Sequence, residues 1–212
     1  IADEGVQIDY LHVFAMLTRL KQICNHPCLV EKCTNPKRYS SGKWDLFVEL
    51  LTECLDNGRK VVVFSQYLGI LDLIDHYLEE MDIGFASLRG DMGVKKRQQM
   101  IDAFAANENC RVFTASLLAG GTGIDLISGN AVIHYDRWWN PAKEEQATAR
   151  VHRMGQKDVV HLFRLSTRDT LEEKINSIIS EKKQLSEAII KEDELGMIQR
   201  LSREQLLELF TI

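Results

Sequence analysis

Hydrophobic and polar positions run along this chain with two periods, and the switch between them predicts its elements. Val13, Met16, Leu17, Leu20 and Ile23 recur at spacings of three and four, which predicts a helical stripe. Asn25-His26-Pro27 ends it, because a residue before proline is steered out of the helical region. Cys33 to Gly42 carries Asn, Pro, two Ser and a Gly, and reads as an exposed loop. A second helix is capped by Ser41, runs through Phe47, Leu50, Leu51 and Leu55, and stops at Asn57-Gly58. Val61-Val62-Val63-Phe64 is apolar on both faces, the pattern of a buried strand. Residues 68–81 put Leu71, Ile74, Leu78 and Met81 on one helical face. Gly84 to Leu88 predicts a strand, and Val94, Ile101 and Phe104 mark a helix. Arg111 to Ala115 and Ala131 to Tyr135 predict two more strands. Glu144 to His152 reads as a helix and Val159 to Leu165 as the last strand. Five strands alternating with helices predict an α/β fold, a parallel sheet covered on both faces.

Two helices close the chain. One spans 170–190, opened by a Thr170/Glu173 capping box and striped by Leu171, Ile175, Ile178, Leu185 and Ile189. The other runs from Ser202 to Phe210, with Leu206, Leu207 and Phe210 as an apolar face expected to pack back onto the domain.

Composition narrows the class. The chain has 212 residues, 45% hydrophobic and 27% charged, enough apolar material for a core. No apolar run reaches the length of a membrane span, and no signal peptide opens the sequence. The first residue is Ile1 rather than Met, so a piece of a longer protein, or a processed chain, is expected. The net charge of −5 excludes a uniformly basic nucleic-acid binder. It is an average, however. Residues 137–168 hold seven basic and three acidic side chains, whereas residues 169–212 hold ten acidic and six basic. Lys95, Lys96 and Arg97 form a second basic cluster, with Arg89 nearby. Cys24, His26, Cys28 and Cys33 invite a zinc reading, but their spacing is irregular and no second cluster follows. An odd total of five cysteines points away from a disulfide scaffold, so free thiols and no metal are expected.

Three segments carry candidate chemistry. Gly120-Gly121-Thr122-Gly123-Ile124-Asp125 follows a strand, where glycines let backbone N–H groups approach a phosphate and Asp125 could meet a ribose; a tight turn alone would also need such glycines. Asp136-Arg137-Trp138-Trp139-Asn140-Pro141 follows the next strand. An exposed Trp beside a basic residue can pack on nucleic acid, and a buried one is a core anchor. Trp138 is expected to be the more buried and Trp139 to lie nearer the surface. The third segment is Gln146-x-x-x-Arg150-x-x-Arg153-x-Gly155-Gln156. On a helix Arg150 and Arg153 would share a face and suit a phosphate.

Taken in this order, the three segments resemble the second helicase lobe of superfamily-two motor proteins. More narrowly, they resemble the Snf-type (SWI/SNF-related) DNA-translocating ATPases, in wording more like the bacterial or archaeal branch. Residues 19–27 (Arg-Leu-Lys-Gln-Ile-Cys-Asn-His-Pro) are similar to the segment that precedes that lobe. Ser41-Gly42-Lys43 and Val63-Phe64-Ser65-Gln66 (motif IV) follow in order. Residues 114–125 match motif V and 146–156 motif VI, and 167–190 resemble the brace helix. Leu88-Arg89-Gly90-Asp91 stands where the family often has Leu-Asp-Gly, so Arg89 is a departure.

The resemblance implies a RecA-like lobe over 41–166, a helix and loop over 1–40, and a brace with acidic tail over 167–212. It implies ATP hydrolysis between two lobes, with ATP and Mg held mainly by an N-terminal lobe that this sequence lacks, since it has no phosphate loop. Arg150 and Arg153 would be arginine fingers and Gln146 would position them or the attacking water. Gly121, Gly123 and Asp125 would face the nucleotide. Ser65, Gln66, Arg89, Ser116 and Trp139 would line a track for double-stranded DNA. The expected partners are that DNA and the N-terminal lobe of the same polypeptide. The protein is expected to be a monomer, in the cytoplasm of a bacterium or archaeon or the nucleus of a eukaryote. Two alternatives stand beside this reading: a strand-separating DNA or RNA helicase lobe, and a non-catalytic scaffold that recruits a partner through its tail.

Overall fold

The computed structural model describes residues 9–116, 124–183 and 194–210. Its centre is β1 (Val61–Ser65), every residue of which is buried. β2 (Phe85–Leu88), β3 (Val112–Ser116), β4 (Ala131–His134) and β5 (His161–Arg164) complete one parallel sheet in the order β2-β3-β1-β4-β5. The register aligns Val61 with Val112 on one side and with Ala131 on the other. Because side chains alternate across a strand, Val61 and Val63 face one layer while Val62 and Phe64 face the other. The first layer is α3 (Gly42–Asp56) and α4 (Leu68–Glu80), which supply Phe47, Leu51, Ile70 and Ile74. The second is α5 (Val94–Ala106) and α6 (Pro141–Thr148), which supply Phe104 and Ala147. This is the α/β arrangement that the alternation of periods predicts, and it fits the RecA-like lobe that the resemblance implies.

A third cluster lies outside the sheet. α1 (Tyr10–Asn25) packs Val13 and Leu17 against Leu171, Ile175 and Ile178 of α7 (Leu171–Lys183). Ile198 of α8 (Glu194–Gln199) and Leu206 and Leu209 of α9 (Arg203–Phe210) close it. Ser202 and Gln205 form a reciprocal cap at the start of α9. The last helix therefore packs back as expected, although Leu209 rather than Leu207 is the second buried leucine. Leu185 and Ile189 of the predicted stripe lie outside the described residues.

Several details differ from the periodicity. The buried row of α1 is Val13, Leu17, Lys21 and Asn25, whereas Met16 and Ile23 are exposed. Two polar residues occupy the buried row because they belong to a buried charge network. Met81 and Val94 sit at helix ends and face outward. α6 stops at Thr148 instead of reaching His152, and the chain continues in tight turns. α2 (Cys28–Glu31) ends in the left-handed residue Lys32, and Cys28 is bonded to Cys33. This overturns the expectation of free thiols there and removes two of the candidate zinc ligands. Cys24, Cys54 and Cys110 are free. Among the described residues, no helix is long and apolar enough to cross a membrane.

Candidate functional site

At the carboxyl edge of the sheet, β1 and β4 lead into Ser65 and Asp136. The Ser65 hydroxyl donates to the Asp136 carboxylate and accepts from the Tyr67 N–H at 3.1 Å. The Gln66 N–H reaches both Asp136 oxygens at 3.3 Å. Burial pushes the Asp136 carboxyl up to about 6, against the pull of Ser65, Lys21, Lys43 and the Gln66 N–H. The Lys21 ammonium lies 5.9 Å from the ring centres of both Tyr67 and Trp139.

Beneath this edge, the Lys43 ammonium binds both oxygens of Glu172, at 2.5 and 2.6 Å, and Asn25 Oδ1 at 3.0 Å. Glu172 also accepts the Thr167 N–H at 2.7 Å, and the Tyr135 hydroxyl donates to the Asn25 carbonyl at 3.0 Å. Both charged side chains are about 2% exposed or less. One buried ion pair thus joins α1, α3 and α7 to the end of β4.

The tryptophan segment is a core anchor. Trp138 and Trp139 are 3% and 2% exposed. This corrects the placement of Trp139 near the surface: its ring is packed in the α1/α7 cluster and offers no open face for a base. Lys143 covers Trp138 at 5.3 Å. Asn140 caps α6 by accepting the Ala142 N–H at 3.0 Å, with Pro141 at the first helical position. Glu144, also buried, accepts from Arg137 at 3.0 Å, Arg164 at 3.2 Å and the Trp138 N–H at 2.9 Å. Two arginines that look like surface charges are thereby tied to one carboxylate.

The arginine segment is a turn, not a helix face. Val151 and His152 N–H groups both return to the Thr148 carbonyl, at 3.0 and 2.9 Å. Thr148 in turn shares a 2.9 Å hydrogen bond with His134 Nε2. His134 stacks on Phe64, and burial pulls its imidazole down to about 4. The Gln156 amide donates to Gly129 O at 2.7 Å and Ile127 O at 3.0 Å, pinning the turn to the loop before β4. Gly155 has φ +104°, a conformation that side chains rarely adopt. Leu126 N–H donates to the Arg150 carbonyl at 2.8 Å. Between buried Ile124 and Leu126, Asp125 points outward and pairs with Arg153. Arg150 is half-buried, and its guanidinium has no ion pair or hydrogen bond among the described residues. An unsatisfied planar cation of this kind suits a phosphate oxygen. Gln146 is exposed on α6.

The structure thus brings Arg153 and Asp125 together and leaves Arg150, three positions before Arg153, without an ion pair among the described residues. Gly121 and Gly123 lie outside the described residues. The residues expected to line the DNA track are mostly buried or engaged within the lobe. Ser65 is fully buried and bonded to Asp136. Ser116 is 4% exposed, its hydroxyl without a partner among the described residues. The Arg89 guanidinium is engaged by Asp75 at 2.6 Å on α4, which Ser87 and Thr114 also bond at 2.6 Å. Arg89 is thus neutralised by a local counter-charge on α4. Of the five, Gln66 stays partly open, its amide 3.4 Å from the Arg137 carbonyl. Sequence reasoning misses Asp136, Lys21, Lys43, Glu144 and Glu172 as site residues. Their types predict solvent, and the hints are that Lys21, Lys43 and Asp136 fall within the quoted segments.

Comparison with known proteins gives the family of this fold. The family "Helicase conserved C-terminal domain" matches residues 42–155, more than half of the chain. The "Putative ATP-dependent helicase/translocase YwqA" of Bacillus subtilis is 38% identical over 205 residues, covering 94% of this chain and 22% of that protein. The "DNA repair and recombination protein RAD54-like" of Drosophila erecta is 37% identical, covering 95% of this chain and 28% of that protein. The chain thus spans less than a third of the length of these relatives. Among solved structures, "Sulfolobus solfataricus SWI2/SNF2 ATPase core in complex with dsDNA" superimposes with a TM-score of 0.80 at 32% identity, over 97% of this chain and 43% of that one. The "Sulfolobus solfataricus SWI2/SNF2 ATPase C-terminal domain" gives 0.77 at 31% identity, over 97% of this chain and 85% of that one. With its parallel five-stranded sheet and its motifs in order, the chain belongs to the helicase conserved C-terminal domain family, in the Snf2-type branch of the superfamily-two ATPases.

Proposed function

We propose that this chain is the C-terminal motor lobe of an ATP-dependent translocase on double-stranded DNA, and that Arg150 and Arg153 are its arginine fingers. One observation carries the reading. The turn that holds both arginines is pinned at its two ends, by His134–Thr148 and by Gln156, while the Arg150 guanidinium has no ion pair or hydrogen bond among the described residues. A cation placed in advance, at no cost in reorganisation, stabilises charge that develops on a phosphoryl group. ATP, held with Mg by an N-terminal lobe, supplies the phosphoanhydride bond that is broken. This chain's residues do the rest. Arg150 meets the phosphate oxygens directly. Arg153 is held in reserve by Asp125 and changes partner when the lobes close. Gln146, exposed one turn before Arg150, orients the attacking water.

The DNA reading is supported by the archaeal relative, whose ATPase core is in complex with double-stranded DNA, and by the repair name of the insect one. On this chain it falls to Gln66 and to exposed Lys95 and Lys96, which follow the carboxyl ends of β1 and β2. Arg97 does not join them, because its guanidinium closes the turn through Gly90 O and Met92 O, both at 2.8 Å. Contacts from such groups to phosphates position DNA without reading sequence, which suits a motor. The chain on its own lacks a phosphate loop and is inactive in this reading.

The test is Arg150→Ala in the full-length protein. DNA-stimulated ATP hydrolysis falls by about 10³-fold or more, while DNA binding persists. Hydrolysis within tenfold of the parent would refute the finger assignment.

A further inference from the structure

We propose that Cys28–Cys33 is a reversible thiol–disulfide exchange site, opened by a dithiol reductant from the groove that it lines. The bond closes a six-residue ring around α2 and its left-handed end at Lys32. Both cysteines line a groove of about 440 Å³, together with Gln22, Tyr67, Asp72 and His76. A cleft of this size admits a small thiol. The two sulfurs are unequal. Cys28 is 1% exposed, whereas Cys33 is partly open to the groove. No other cysteine among the described residues lines this groove: Cys54 and Cys110 are buried elsewhere and Cys24 faces a different cleft.

Exposure directs the exchange. The first thiolate of the dithiol attacks Cys33 Sγ, the Cys28–Cys33 bond breaks, and Cys28 leaves as a thiolate that takes up a proton. The second thiolate then attacks its own sulfur in the mixed disulfide, and Cys33 leaves and is protonated. Two electrons and two protons pass from the dithiol to the pair, and the dithiol becomes a cyclic disulfide. The reduced state is provided for, since the Asn35 carbonyl lies 3.3 Å from Cys28 Sγ and 3.7 Å from Cys33 Sγ and accepts from the new thiols. Glutathione disulfide reverses the reaction, releasing two glutathione thiols.

Opening the ring has a consequence at a distance. Leu29 of α2 packs against Gly69 at the start of α4, where an added Cβ would stand 3.6 Å from Leu29 Cγ. The other wall of the groove is Tyr67-Leu68-Gly69, and the Tyr67 N–H is held by Ser65. Freeing α2 therefore loosens the turn after β1, which also carries Gln66.

The test uses the intact protein, purified without reductant and equilibrated in glutathione buffers of graded ratio. After alkylation in denaturant and tryptic digestion, fragmentation mass spectrometry is expected to show the 22–32 peptide linked through Cys28 to the peptide that begins at Cys33, with Cys24 alkylated. Dithiothreitol is expected to abolish the link and glutathione disulfide to restore it. Hydrogen exchange of amides 29–34 and 67–70 is expected to speed up by roughly 10- to 100-fold on reduction, from the loss of ring closure. Cys33→Ser, at a partly exposed position, is expected to show the faster exchange with or without dithiothreitol. Thiols at both positions throughout the glutathione series would overturn the proposal. So would equal exchange rates in the linked and reduced protein.

Discussion

Glu172→Gln tests whether the buried pair with Lys43 is what docks α7 on the lobe. The substitution keeps the volume and removes the negative charge, leaving the Lys43 ammonium at 2% exposure with only neutral acceptors, Asn25 Oδ1 and the new amide oxygen, and the Tyr135 ring 5.8 Å away. Removing one partner of such a pair costs about 3–5 kcal/mol, because the remaining charge is neither solvated nor neutralised. That is a large share of a typical stability of roughly 5–15 kcal/mol. With a urea dependence of about 2 kcal/mol/M, the midpoint of unfolding falls by about 1.5–2.5 M. The assay is urea denaturation followed by circular dichroism at constant pH and salt. The second arm is Lys43→Met with Glu172→Leu, which removes both charges and fills the space. If desolvation dominates, the double variant recovers to within about 1 kcal/mol of the parent or exceeds it. A loss below about 1 kcal/mol in Glu172→Gln would refute the reasoning, as would a double variant no better than the single one.

Three further outcomes are expected. Asp136 and His134 give opposite pH dependences. The Asp136 carboxyl is raised from 3.8 to about 6 in the folded state, so its contribution is full below pH 4 and is lost as pH rises through 6. The His134 imidazole is lowered from 6.5 to about 4, so its contribution is present above pH 6.5 and is lost as pH falls through 4. The two slopes nearly cancel between pH 4 and 6. Asp136→Asn should expose stability that rises with pH and His134→Gln stability that falls, each by about 3 kcal/mol over its window; flat profiles in both variants would contradict the burial argument. Trp139→Ala should cost about 3–5 kcal/mol in urea denaturation, as for a core ring, with Trp139→Phe recovering part; an unchanged midpoint would return Trp139 to the surface. Asp125→Ala should leave the urea midpoint unchanged, since the Arg153 pair is half exposed and worth under about 1 kcal/mol. A drop larger than that would make the pair structural.

The lobe is legible in the sequence because its signals are local. Val61 to Phe64 is apolar on both faces, as a central parallel strand must be, and Ser41 and Asn57-Gly58 mark the two ends of α3 within a residue. The charge network is not legible, for a physical reason. A lysine or glutamate announces solvent, and only its partner reverses that. Lys43 and Glu172 are 129 residues apart, beyond any periodicity. Arg89 shows the same effect at shorter range. Its partner Asp75 sits on α4, and helical spacing alone gives no sign that it faces the sheet. Trp139 is misplaced by its neighbours Arg137 and Asn140, which suggest a wet loop, yet both are occupied internally, by Glu144 and by the helix cap. For Cys28 and Cys33, an odd count of cysteines argues against bonding, although it says nothing of any one pair.

The cluster around α1 has a consequence for biosynthesis. Leu17 waits for Leu206, about 190 residues later in the chain. At roughly 5–20 residues per second, that interval lasts about 10–40 s on the ribosome. During it the sheet between them can form while the cover that α7, α8 and α9 give the apolar row of α1 is still incomplete. A chaperone that shields Val13 and Leu17 on the nascent chain would raise the yield of this protein more than one acting after release.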